Sequence, residues 1–166
     1  MKQFNSKKQI ITASICLLIA LCLLGFSYYE KDMSFKASSE SSQGQAVISI
    51  GQAVVVADIA DTNATREQGL GGRTSLLDNQ GMFFMFDTPG LYSFWMKDMV
   101  IPIDMIWLDQ NLKVIYIESN VSPSTFPSVF TPTSPAMYVL EVQSGFAQKN
   151  AVKIGDTAKI ISIGAK

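Results

Sequence analysis

The sequence predicts a mainly antiparallel α+β domain, barrel-like or sandwich-like, with two short helices, carried behind one transmembrane helix. Three observations carry this reading. Residues 10–26 contain no charged side chain. Residues 30–45 are rich in serine and nearly empty of large apolar side chains after Phe35. From Ala46 onward, short apolar runs are bounded by Gly, Pro, Asp and Asn, the punctuation of strands. The chain has 166 residues, of which 16% are charged. That share is well below the ~25% usual for soluble domains, as expected if one segment avoids water. The length accommodates one domain of ordinary size rather than two.

Taken in order, residues 1–9 carry Lys2, Lys7 and Lys8 and read as a short cytoplasmic tail. Residues 10–29 form an apolar run that ends in Tyr28 and Tyr29. As a helix the run is about 30 Å long, enough to cross a bilayer core. The positive excess lies on its N-terminal side. This predicts a single-pass protein of the cell membrane with the following domain on the extracytoplasmic side. A cleaved signal peptide is the alternative, but such peptides have shorter apolar regions and a small-x-small site, and no A-x-A follows this run. Cys16 and Cys22 lie within the run, after Ile15 and Leu21 rather than small residues, and read as apolar side chains of the helix.

Residues 30–45 read as a flexible linker, and residues 46–166 as the β-rich extracytoplasmic domain. The domain carries eight basic and eleven acidic residues. Strands are expected at 46–58, 81–86, 91–97, 103–109, 113–120, 137–143 and 157–163, with Asp109-Gln110-Asn111 as a hairpin turn. Helices are expected at 63–68, with Thr62 as N-cap and Gly69 as stop, and at 146–150 after Ser144-Gly145. Pro123, Pro127, Pro132 and Pro135 crowd the stretch 121–136, with Phe126 and Phe130 between them. It reads as a long, stiff, partly extended loop.

Composition excludes several chemistries. The chain has no histidine, and both cysteines fall in the apolar run. A Ser-His-Asp triad, a Cys-His dyad, a His-ligated metal and a disulfide within the domain are therefore ruled out. A net charge of −1 argues against nucleic acid as partner. No phosphate-binding glycine fingerprint and no D-x-D-x-D-G calcium loop occurs, so no cofactor and no metal are expected.

What remains is a polar and aromatic cluster. In Phe94-Trp95-Met96-Lys97, strand alternation puts Trp95 and Lys97 on one face. Asp98 falls at the following turn. Asp104 opens the next strand, opposite Ile103, Met105 and Trp107, and Glu141 alternates with Leu140. Arg66 and Arg73, the only arginines, flank the turn Gly69-Leu70-Gly71-Gly72 and offer planar forks for a carboxylate. We therefore expect a binding site built from Arg66, Arg73, Trp95, Lys97, Asp98, Asp104 and Glu141, with one arginine paired to Asp104 or Glu141. The plainer reading is a structural ion pair beside a half-buried tryptophan. No catalytic residue can be assigned.

The same residues carry a resemblance. The order Arg66, Gly69-Leu70, Arg73, then Gly81-Met82-Phe83-Phe84 and Phe86, then Phe94-Trp95-Met96-Lys97, Ile101-Pro102-Ile103-Asp104, Leu140-Glu141, Gly145 and Gly155-Asp156 resembles the family called domain of unknown function 192. The resemblance covers about residues 52–163. Gly71 stands where many members carry Met, and Asp98-Met99 replaces a frequent Asn-Thr. It implies a compact, β-rich, barrel-like domain, often behind a signal or anchor, in bacteria and archaea. It implies no activity.

Three functions compete. One is a membrane-tethered binding module for a small polar ligand, a glycan or a peptide. Another is an envelope structural or assembly protein that docks a partner protein through the loop 121–136. The third is an envelope glycan hydrolase with Asp104 and Glu141 as acid and base. The missing histidine and thiol favour the first over an enzyme.

Overall fold

A computed structural model describes residues 44–164. The predicted tail 1–9, the helix 10–29 and all but the last two residues of the linker 30–45 lie outside the described residues. Among the described residues, no helix is long and apolar enough to cross a membrane.

The described residues form nine strands and two short helices, in chain order β1 Gln45–Ile50, β2 Ala53–Ala60, α1 Asn63–Gln68, β3 Gln80–Gly90, β4 Phe94–Trp95, β5 Ile103–Leu108, β6 Val114–Val121, β7 Val129–Phe130, β8 Ala136–Gln143, α2 Phe146–Lys149 and β9 Lys159–Ile163. Seven strands make one sheet in the order β6-β5-β8-β3-β2-β1-β9, and β4 and β7 pair separately. Among the described strands, only β2 and β3 pair in parallel. A parallel neighbour needs a crossover connection, and α1 with the turn after it supplies it. Thr62 caps α1 through a reciprocal capping box with Thr65, which satisfies backbone N–H groups that the first turn leaves unpaired.

The expected strand 46–58 is two strands. Gly51 breaks it at φ 56°, where an L side chain is strained, and a two-residue turn reverses the chain. A β-carbon at Gly51 would lie 2.4 Å from the Asn150 carbonyl oxygen, so this turn also packs against the end of α2. The expected strand 91–97 shrinks to Phe94–Trp95, because the chain turns at Asp98, at φ 59°. Within the proline-rich stretch, Pro123–Thr125 is a 3-10 turn. Val129–Phe130 nevertheless pairs with β4, Trp95 opposite Val129.

Alternation along the sheet sorts the core into two clusters. Ile106 and Leu108 of β5, Leu140 and Val142 of β8 and Phe83 of β3 point to one face, where Phe146 and Ala147 of α2 cover them. Met105 and Trp107, Val139, Met82 and Phe84 point to the other, under Leu70, Leu76 and Met96. The central strands are thus buried on both sides.

A closed barrel does not form. The sheet curls, so that Val114 of β6 and Ala46 of β1 share one cluster. It stays open because β6 and β9 never pair as strands. The link between its ends is the isolated bridge Lys113–Thr157, with Val114 bonded to Gly155 and Asp156. A tight turn, Lys153–Asp156, faces β6 where a barrel would need an extended strand.

Candidate functional site

The second face of the sheet carries a cleft of about 600 Å³, within the range of small-molecule sites. Phe84 and Phe86 of β3 are two residues apart and so reach it from one side of the strand. Tyr92, Phe94 and Trp95 enter from β4 and the segment before it, Arg66 and Glu67 from α1, and Glu141 from β8.

Glu141 is only 5% exposed. It forms no hydrogen bond or ion pair with another described residue. No fully enclosed polar side-chain atom is left unpaired among the described residues, so its carboxyl opens onto the cleft rather than into sealed core. Its cross-strand neighbours are Met82 and Met105, which offer neither charge nor a strong hydrogen bond. Burial in this setting pushes the carboxyl up to about 8, because the charged form loses its hydration.

The walls are aromatic. Phe86 and Tyr92 stack with centroids 3.5 Å apart. Phe84 meets Phe94 edge-on at 4.8 Å. Trp95 is 53% exposed and lies 6.1 Å from Phe126, so an apolar rim continues onto the proline-rich loop. Lys97 lines the same cleft and is exposed.

Arg66 is fixed by neutral partners. Its Nη1 donates to the carbonyls of Asp61 (3.1 Å) and Met85 (2.6 Å), and its Nη2 donates to Asn63 Oδ1. Its guanidinium lies 5.2 Å from the Phe86 centroid, a cation–π contact. The arginine thereby ties α1 to β3.

Of the seven expected site residues, Arg66, Trp95, Lys97 and Glu141 line the cleft and Arg73, Asp98 and Asp104 do not. Arg73 pairs with Asp58 of β2. Asp98 works through its backbone, its carbonyl accepting from Gly72 N–H. Asp104 is fully buried. Its carboxylate accepts from the backbone N–H groups of Asn120, Gly145 and Ala147 at 2.8–3.0 Å.

The expected pairing of an arginine with Asp104 or Glu141 is therefore corrected. Asp104 stands opposite Val142 in the β5–β8 register, so it shares the face of Val142, and Glu141 takes the other. The backbone N–H groups around Asp104 leave it no need of a cation. Phe84, Phe86, Tyr92 and Phe94 were missed as lining residues. The two-residue spacing of Phe84 and Phe86 was the available signal, because it puts both rings on one side of a strand.

Among the described residues, no three His, Cys, Asp or Glu side chains gather as a metal site. A protein of Sinorhizobium meliloti, provisionally described as a transcription regulator, superposes with a TM-score of 0.70 at 25% identity, covering 74% of this chain and 98% of that one. A protein of unknown function from Novosphingobium aromaticivorans superposes with a TM-score of 0.63 at 31% identity, covering 70% of this chain and 83% of that one. No curated protein matches the chain significantly. The model of the DUF192 family, described as "Uncharacterized ACR", matches residues 46–160. That span is well over half of the chain and takes in the whole of the cleft, and the chain belongs to the DUF192 family.

Proposed function

We propose that the protein is a membrane-tethered binding module whose cleft takes a small polar ligand, a sugar or the end of a short peptide, on the extracytoplasmic side. The single observation behind this reading is Glu141. A buried carboxyl with no partner among the described residues, at the wall of an aromatic cleft, is costly to the fold, and a ligand that hydrogen-bonds it removes the cost. The aromatic rings suit the apolar side of such a ligand. The tether rests on the sequence alone: the apolar run 10–29 and the lysines before it.

The hydrolase reading loses its acid and base. Asp104 and Glu141 face opposite sides of one sheet, whereas a glycosidase pair must flank one bond. The docking reading keeps one observation in its favour. Trp95, Phe126 and Val129 are each about half exposed and lie together at the edge of the cleft.

Tryptophan fluorescence of the full-length protein in detergent, titrated with cell-wall sugars and short peptides, tests the binding module. A saturable change in the wild type that disappears in Trp95→Phe supports it. No saturable response to any of them counts against it. Protease added to spheroplasts tests the tether: the domain should be digested while a small N-terminal fragment stays in the membrane.

A further inference from the structure

We propose that the cleft selects an organic ammonium cation, with Glu141 as its counter-ion and the rings of Phe84, Phe94 and Trp95 among its walls. This rests on the binding reading above and names the ligand chemistry. Aromatic rings present negative faces, and an ammonium or methylated ammonium group is attracted to them most where water is excluded. In that wall Glu141 is 95% withdrawn from solvent by its 5% exposure and has no hydrogen-bond or ion-pair partner among the described residues. A ligand anion would meet negative ring faces there and would hold that carboxyl protonated. A ligand cation is drawn by both the walls and Glu141.

Two features support the assignment. The cleft already holds one cation on a ring, the Arg66 guanidinium over Phe86. Glu141 is also poised, because burial alone has raised it to about 8, so near neutral pH it is mostly protonated yet cheap to ionise when a cation arrives. The strands beside it, β3 and β5, contribute Met82 and Met105. The other charged or titratable groups of the cleft are Arg66 and Glu67 of α1, Tyr92 before β4, and Lys97 after it. Glu67 and Lys97 are exposed, where solvent screens them. As the cation enters, the Glu141 proton leaves to solvent.

Calorimetry on the full chain in detergent tests this with choline and its neutral isostere 3,3-dimethylbutan-1-ol, in two buffers of different ionisation enthalpy. Choline should bind and the isostere should bind at least about tenfold more weakly. Below the Glu141 pKa, choline affinity should rise about tenfold per pH unit, with up to one proton released per ligand. Glu141→Gln should abolish both the rise and the release. Trp95→Leu, at an exposed position, should weaken choline without weakening the isostere, and it serves if Glu141→Gln fails to fold. Equal binding of the isostere, affinity that falls as pH rises, or no choline binding while sugars or peptides bind, overturns the cation assignment alone. No binding by choline, sugars or peptides overturns the binding module as well.

Discussion

Asp104 and Glu141 lie on adjacent strands, one step out of register, and point to opposite faces of the same sheet. The consequence for each is opposite. Asp104 meets three backbone N–H groups, at the end of β6 and around the start of α2. Glu141 meets two methionines and an aromatic cleft. One carboxyl is part of the framework, and the other lines the cleft with no hydrogen-bond partner among the described residues.

Asp104→Asn should therefore destabilise the protein. The amide still offers one acceptor, but its NH₂ group faces an N–H donor. Losing buried hydrogen bonds to a charged group costs about 1–3 kcal/mol. Urea denaturation should show that loss, while ligand titrations of the cleft should be unchanged. Stability equal to wild type would mean that the three N–H groups find other acceptors.

Glu141 should make stability fall with pH. Its folded pKa of about 8 is above the ordinary value of 4.5, so the folded state holds the proton more tightly than the unfolded state. The contribution is fully present below about 4.5 and is lost progressively as pH rises to about 8, after which it is flat. Glu141→Gln removes the titration. The variant should gain stability over wild type by roughly a few kcal/mol at about pH 8–9 and by little near pH 4. Chemical denaturation across that range checks the sign.

Arg66→Ala should loosen α1. It removes donors to the carbonyls of Asp61 and Met85 and the contact with Phe86. Most of these groups are near solvent, so the loss should be about 1–2 kcal/mol. Hydrogen exchange should speed up at Asn63–Gln68 more than in β5 or β8. Uniform protection across the chain would show that α1 is held by its caps alone.

Gly51→Ala and Gly72→Ala separate crowding from backbone strain. Both glycines have positive φ, 56° and 79°. A β-carbon at Gly51 would collide with the Asn150 carbonyl and Val152, whereas one at Gly72 has nothing within 4 Å. Gly72→Ala should cost only the left-handed penalty of about 1–2 kcal/mol. Gly51→Ala should cost clearly more, because the β1–β2 turn must move away from α2. Thermal denaturation of the two variants side by side gives the comparison.

Much of the fold was legible before any coordinates. Both helices were, because Thr62 and Gly69 mark α1 and Ser144-Gly145 precedes α2, and such signals act within a few residues of the chain. The strands at 103–108, 114–121 and 136–143 were, because short apolar runs bounded by turn residues are a local signal of strands, and Asp109-Gln110-Asn111 marked the turn between the first two. Family membership was legible from the order of motifs. Tertiary structure decided the rest. The open curl of the sheet depends on whether β6 meets an extended strand or the turn Lys153–Asp156, which no local pattern records. The partners of Arg66, Arg73 and Asp104 were hidden for the same reason: a charged side chain can be satisfied by any acid or any backbone group that the topology brings near. Alternation places Asp104 and Glu141 each on a face of its own strand. Only the register between β5 and β8 sets those faces against each other, and with them which carboxyl is bound into the frame and which is left facing the cleft.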